Sequence, residues 1–128
     1  MELVNKVAQS GLITLDLEDF FPKKEIIGFD IKDFLFRGLI LKELDFRAAL
    51  KAHDWSVYKD KTVAVFCSAD AIIPQWAYML IMTHLSAQTT TVYFGTIEEV
   101  EQKLFLSNIK KLDAAKYTGE KIIIKGCG

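Results

Sequence analysis

The sequence predicts an α/β fold, a single small domain spanning residues 1–128 with a mostly parallel sheet and the order β-α-β-α-β through its C-terminal half. Three observations predict it. Short aliphatic and β-branched runs at residues 61–66, 89–94 and 120–125 alternate with stretches of helical periodicity, the order that βαβ crossovers require. The run KTVAVF has apolar residues at consecutive positions, as in a strand covered on both faces. A chain of 128 residues, 51% hydrophobic and 26% charged, suits one domain large enough to bury a core.

In order along the chain, Leu3, Val4 and Val7 predict a short N-terminal helix that Gly11 stops. Residues 12–17 (LITLDL) and 25–31 (EIIGFDI) read as strands, the second with a bulge at Gly28, and both are placed as antiparallel edge strands. Residues 39–44 (LILKEL) fit a strand and a helix equally well. Asp45 is the expected N-cap of a helix through FRAALKAHDW, in which Phe46, Ala49 and Leu50 share one face. After the strand at 61–66 and the loop Cys67-Ser68-Ala69-Asp70, an apolar helix is expected over 71–85. Asp70 would cap it, and Pro74 is tolerated in its first turn. Gly95 closes the strand at 89–94. Thr96 and Glu99 then have the spacing of a capping box, and a second short helical stretch is expected at 109–115.

Sixteen basic residues against seventeen acidic leave a net charge of -1, so neither nucleic acid nor an anionic membrane is an expected partner. The most apolar stretch, residues 71–82, is broken by Pro74 and Gln75 and falls short of the ~20 residues of a membrane span. The opening MELVNKVAQS lacks the apolar core of a secretory signal. Two cysteines are too few for a disulfide scaffold, and a cytoplasmic, reducing location is expected.

An internal echo is the most informative feature. Residues 58–67 (YKDKTVAVFC) lie beside residues 117–127 (YTGEKIIIKGC), with one residue more between tyrosine and cysteine in the second copy. In each, a polar turn leads into an aliphatic strand that delivers a cysteine at its carboxyl end. The first copy continues into a helix, whereas the chain stops at Gly128, so it reads as cut short within its second unit. A homodimer burying the apolar surface left open is the matching expectation.

The run CSADAIIPQWAYML at 67–80, with FDIKD at 29–33, LILKE at 39–43, HDW at 53–55 and the closing IKGC at 124–127, resembles a bacterial family catalogued as a domain of unknown function. The resemblance spans nearly the whole chain. It implies no activity, and it implies a continuation beyond Cys127 that this sequence lacks.

Chemistry centres on Cys67, which follows a strand and precedes a helix, where ligands of open α/β sheets gather and a thiol is readily ionised. A buried structural cysteine is the plainer reading. Named cysteine motifs fail: Ile73 stands where a phosphatase loop needs arginine, and Asp70 where a C-x-x-C pair needs its second cysteine. Three functions stay open. One is a small-molecule or metal-binding module at the Cys67 to Asp70 loop, with Ser68, Asp70, Trp76 and Tyr78 against the ligand. In its metal version Cys67, Cys127, Asp70 and His53 would hold a transition metal such as zinc. The second is an enzyme with Cys67 as nucleophile, for which His53 or His84 would have to supply the base. The third is a structural or interaction protein, in which Trp76, Tyr78, Met79 and Met82 are simply core.

Overall fold

A computed structural model describes residues 11–126; the expected N-terminal helix and Cys127 lie outside them. The elements are β1 (Leu12–Asp16), β2 (Ile26–Asp30), α1 (Glu43–Ala52), β3 (Thr62–Phe66), α2 (Gln75–Leu85), β4 (Thr91–Phe94), α3 (Ile97–Lys110) and β5 (Lys121–Lys125). Among the described residues every strand pairing is parallel, and the C-terminal half runs β3-α2-β4-α3-β5, as its alternating pattern requires. The strands form two sheets, and the chain divides into two compact units: residues 24–100, and residues 1–23 with 101–128. Among the described residues no helix is long and apolar enough to cross a membrane.

The unit of residues 24–100 contains a three-stranded sheet in the order β2-β3-β4. β3 is central, and Thr62, Val63, Ala64 and Val65 are all buried, which is why its apolar residues run consecutively. α1 buries Phe46 and Leu50, while α2 buries Ala77, Ile81 and Leu85, spaced every fourth residue. These five pack with Phe29, Ile31, Val63 and Val65 into one core. At Gly28 the backbone comes close to side chains: a Cβ there would stand 3.0 Å from the Phe66 ring and 3.1 Å from Ile97 Cδ1. The glycine serves that approach and not a bulge, since β2 pairs with β3 in unbroken register from Ile26↔Thr62 to Asp30↔Phe66.

In the unit of residues 1–23 and 101–128, β1 pairs with β5 from Leu12↔Lys121 to Asp16↔Lys125. Phe21 stacks on Phe105 with centroids 4.4 Å apart, and Asn108 Nδ2 donates to the Phe20 carbonyl at 2.7 Å. The β5 isoleucines are exposed, Ile124 at 65%.

Several expectations change. β1 and β2 are parallel strands, not antiparallel edges, because pairing direction depends on distant partners that local pattern does not reveal. α1 begins at Glu43 after Lys42, so Asp45 sits in the first turn and is not the cap. Residues 39–44 split, with Ile40 in an antiparallel bridge to Phe36 and Glu43 and Leu44 in α1. α2 begins at Gln75 with Pro74 as its N-cap, so Asp70 does not cap it. A residue before proline is held extended, which keeps Ile73 out of the helix. The stretch expected at 109–115 is the end of α3 followed by a 3-10 turn at Ala114–Tyr117.

The two segments that echo in sequence take the same local form. Trp55–Tyr58 and Ala114–Tyr117 are 3-10 turns, each capped by an aspartate, Asp54 and Asp113, that accepts the amide two residues on. Each is followed by a residue in the left-handed region, Asp60 at φ 58° and Gly119 at φ 78°. β1 and β2 end alike, in Asp16 and Asp30, each opening a 3-10 turn by the same bond. Counting on from the paired strand ends Phe66 and Lys125, Cys67 corresponds to Gly126 and Ser68 to Cys127.

Candidate functional site

In the unit of residues 24–100 a crevice of about 560 Å³ opens beyond the carboxyl ends of β3 and β4. β3 contributes Val65 and Phe66 and hands on to Cys67; β4 contributes Phe94 and hands on to Gly95 and Thr96. Gln75 and Tyr78 of α2 and Glu99 of α3 complete the wall. Parallel strands bring this about, since their carboxyl ends lie at one end of the sheet and each turns there toward a helix.

The rim is held by local hydrogen bonds. Gly95, at φ 140°, donates its amide to the Val65 carbonyl at 2.8 Å, joining the ends of β3 and β4. The capping box forms as its spacing predicts. Glu99 donates its amide to Thr96 Oγ1 at 3.1 Å, and Thr96 donates its amide to Glu99 Oε1 at 3.1 Å. Tyr78 meets Phe94 edge to face with ring centroids 5.6 Å apart, giving the crevice an aromatic corner. Cys67 is half-buried, and its thiol donates to the Ala69 carbonyl at 3.5 Å.

The loop after β3 is tied to β2. Asp30 accepts the Ser68 amide at 3.0 Å and the Ser68 hydroxyl at 2.6 Å, and also the Lys32 amide at 3.0 Å. Burial alone would raise the Asp30 pKa, but these bonds and the Lys32 charge outweigh it and hold the carboxyl below its ordinary 3.8. Ser68 is thus spent on anchoring the loop that carries Cys67.

Of the residues singled out in the sequence, Cys67 and Tyr78 line the crevice. Asp70 is exposed in a bend and Trp76 faces elsewhere, edge-on to Phe46 at 5.9 Å with the Arg47 guanidinium 5.2 Å from its ring. His53 belongs to a separate aromatic cluster. Its Nε2 and the Tyr58 hydroxyl share a hydrogen bond of 2.7 Å, and its ring stands edge-on to Phe34 and Trp55. Burial and the charge of Asp33 push the Tyr58 pKa up to about 12. His84 stacks on Trp55 with centroids 4.6 Å apart, in place of the carbonyl-capping role that its position near a helix end suggests. Among the described residues no group of three or more His, Cys, Asp and Glu side chains stands together to hold a metal ion. Gln75, Phe94, Thr96, Glu99 and the anchor Asp30 escaped the sequence reading. The end of β4 and the residues just past it are the signal that points to three of them, Phe94, Thr96 and Glu99.

A family model described as "Protein of unknown function (DUF2480)" matches residues 1–128. No curated protein and no solved structure matches the chain.

Proposed function

Because the chain belongs to the DUF2480 family, whose description assigns no activity, we propose its function from the crevice itself: a small-molecule-binding module that takes a compact, largely apolar ligand beyond the ends of β3 and β4. The observation that carries this reading is the placement of a cavity of about 560 Å³ at the carboxyl ends of adjacent parallel strands. Its walls divide the labour that recognition needs. Phe66, Tyr78 and Phe94 offer aromatic surface for a flat ligand body, and Gln75, Thr96 and the Cys67 thiol offer polar atoms to orient it.

Binding is favoured over catalysis by Cys67. Neither histidine lines the crevice, His53 shares its Nε2 with Tyr58, and Glu99 caps α3, so none of these described residues is placed as the base a thiol nucleophile uses. The zinc version draws no support from the described residues, since His53 and Asp70 both lie off the crevice wall that contains Cys67.

A fragment library screened by thermal shift, with hits mapped by amide chemical-shift changes, tests the proposal. Flat, uncharged fragments are expected to raise the melting temperature and to perturb the amides of residues 65–67 and 94–99. Cys67→Phe, which fills the crevice, is expected to abolish both effects. Hits that map elsewhere, or that bind Cys67→Phe unchanged, overturn the reading.

A further inference from the structure

α2 lacks the charged outer face of its neighbours. α1 presents Glu43, Arg47 and Lys51 to solvent, and α3 presents Glu98 and Glu101. From residue 71 to residue 96 there is no Asp, Glu, Lys or Arg, in a chain of which 26% is charged. The buried side of α2 is Ala77, Ile81 and Leu85, yet its outer side is Gln75, Met79, Thr83 and Ser86, with Met79 68% exposed. That side is polar but uncharged at Gln75, Thr83 and Ser86, and beside them Tyr78, Met79, Met82 and Phe94 leave a partly exposed apolar strip that a water-facing helix ordinarily breaks with charge.

The outer face is a groove of about 350 Å³ lined by Tyr78, Met79, Met82, Thr83, Ser86 and Phe94. Its two aliphatic hydroxyls are already engaged by their own helix: Thr83 Oγ1 donates to the Leu80 carbonyl at 2.6 Å, and Ser86 Oγ to the Thr83 carbonyl at 3.3 Å. Both hydroxyl protons therefore keep a partner when water is excluded. His84, the one side chain of the helix that can become cationic, stacks on Trp55.

We infer that this face is covered by a second copy of the chain, with the two α2 helices packed antiparallel across a two-fold axis. Charge selects the occupant. A groove without charged groups rejects the ordinary surface of a chain in which about every fourth residue is charged, and an identical groove meets it with none. The remaining charges are the partial ones at the helix ends, and a two-fold axis across the helices sets each positive amino end beside the partner's negative carboxyl end. Met79 and Met82 are unbranched and adapt to one another at such a seam. An anionic membrane does not fit, because a helix lying on one needs flanking Lys and Arg, and residues 71–96 contain neither.

The interface also bears on the crevice. Tyr78 and Phe94 line both the crevice and the groove, so the partner's α2 would stand behind the wall that these two rings form.

Analytical ultracentrifugation of the full chain tests the inference. The wild-type protein at about 100 μM, well above the micromolar to picomolar range of standard interfaces, is expected to sediment at twice its 14.5 kDa. Met79→Lys, which would bury an ammonium against its own copy, is expected to weaken association by at least about 100-fold with an unchanged circular dichroism spectrum. Thr83→Lys repeats the test at a second exposed position should Met79→Lys not fold. A wild-type monomer at this concentration overturns the inference. So does a dimer that survives both substitutions, including one that Ile124→Lys on the exposed strand β5 dissolves instead. Fragment binding is scored at the crevice amides, so its failure and the failure of dimerisation are separate results.

Discussion

Removing the Asp30 carboxylate should loosen the loop that carries Cys67, and the size of the effect follows from its bonds. Asp30→Ala deletes three hydrogen bonds: those from the Ser68 amide, the Ser68 hydroxyl and the Lys32 amide. A hydrogen bond contributes about 0.5–1.5 kcal/mol net, and at this partly exposed site water replaces some of each, so the total is about 2 kcal/mol. Asp30→Asn behaves differently. The two amides both bond Oδ1, which asparagine retains, and its Nδ2 can donate to a Ser68 oxygen turned to accept. The expected cost of Asn is therefore about a third of that of Ala. Both tryptophans, Trp55 and Trp76, lie in the unit of residues 24–100, so urea unfolding followed by their fluorescence reports on the relevant part of the chain. With a slope of about 2 kcal/mol per molar, the Asp30→Ala midpoint should fall by about 1 M. The Ser68 amide should lose its hydrogen-exchange protection in the Ala variant and keep it in Asn. Because the folded pKa of Asp30 is lowered, its contribution is fully present above pH 3.8 and is lost as pH falls through the depressed value, so wild type and variant should converge there. Equal midpoints for wild type and Asp30→Ala at neutral pH, or equal losses in Ala and Asn, would refute the assignment.

The remaining predictions concern the frame of the site. Tyr58 has its pKa raised from 10.0 to about 12, so its contribution to stability is intact below pH 10 and is lost as pH rises through 12. Alkaline unfolding of Tyr58→Phe should accordingly lack the component that wild type shows in that window, as stability measured against pH will reveal. Thr96→Ala removes one half of the capping box and should cost about 1 kcal/mol in denaturant unfolding, with faster amide exchange confined to the first turn of α3. Phe46 is fully buried in the core, and Phe46→Ala should cost about 3–5 kcal/mol; a loss under about 1 kcal/mol would contradict the packing described.

Features encoded by neighbouring residues were legible in the sequence. The capping box at Thr96 and Glu99, the fully covered strand β3 and the alternation of β3 to β5 with helices all depend on near neighbours, and all are present. The start of α2 is hard to read because residues 71–73 are as apolar as the helix itself, and only the restriction that Pro74 places on Ile73 separates them. The repeated aspartate turn is legible as a recurring motif. DLEDF at 16–20 and DIKDF at 30–34 share the aspartate that accepts the amide two residues on. The site was half legible, because Cys67 follows a strand whose end is plain in the sequence. Phe94, Thr96 and Glu99 join it through the pairing of β3 with β4, a long-range fact that local pattern does not contain. His53 lies near Cys67 in sequence, yet side-chain direction sends it to Tyr58.

The nesting of the two units has a consequence for how the chain folds. β2 and β3 are joined by a short crossover, whereas β1 waits for β5, and the loop its pairing closes is about threefold longer, worth roughly 1 kcal/mol of extra closure entropy. Synthesis sharpens the difference, since residues 24–100 leave the ribosome with every strand of their sheet, while β1 emerges first and meets its partner last. Refolding should therefore be biphasic, with tryptophan burial in residues 24–100 preceding protection of the β1 amides, and a chain stopped at residue 100 would leave Leu12–Asp16 as a strand without its mate.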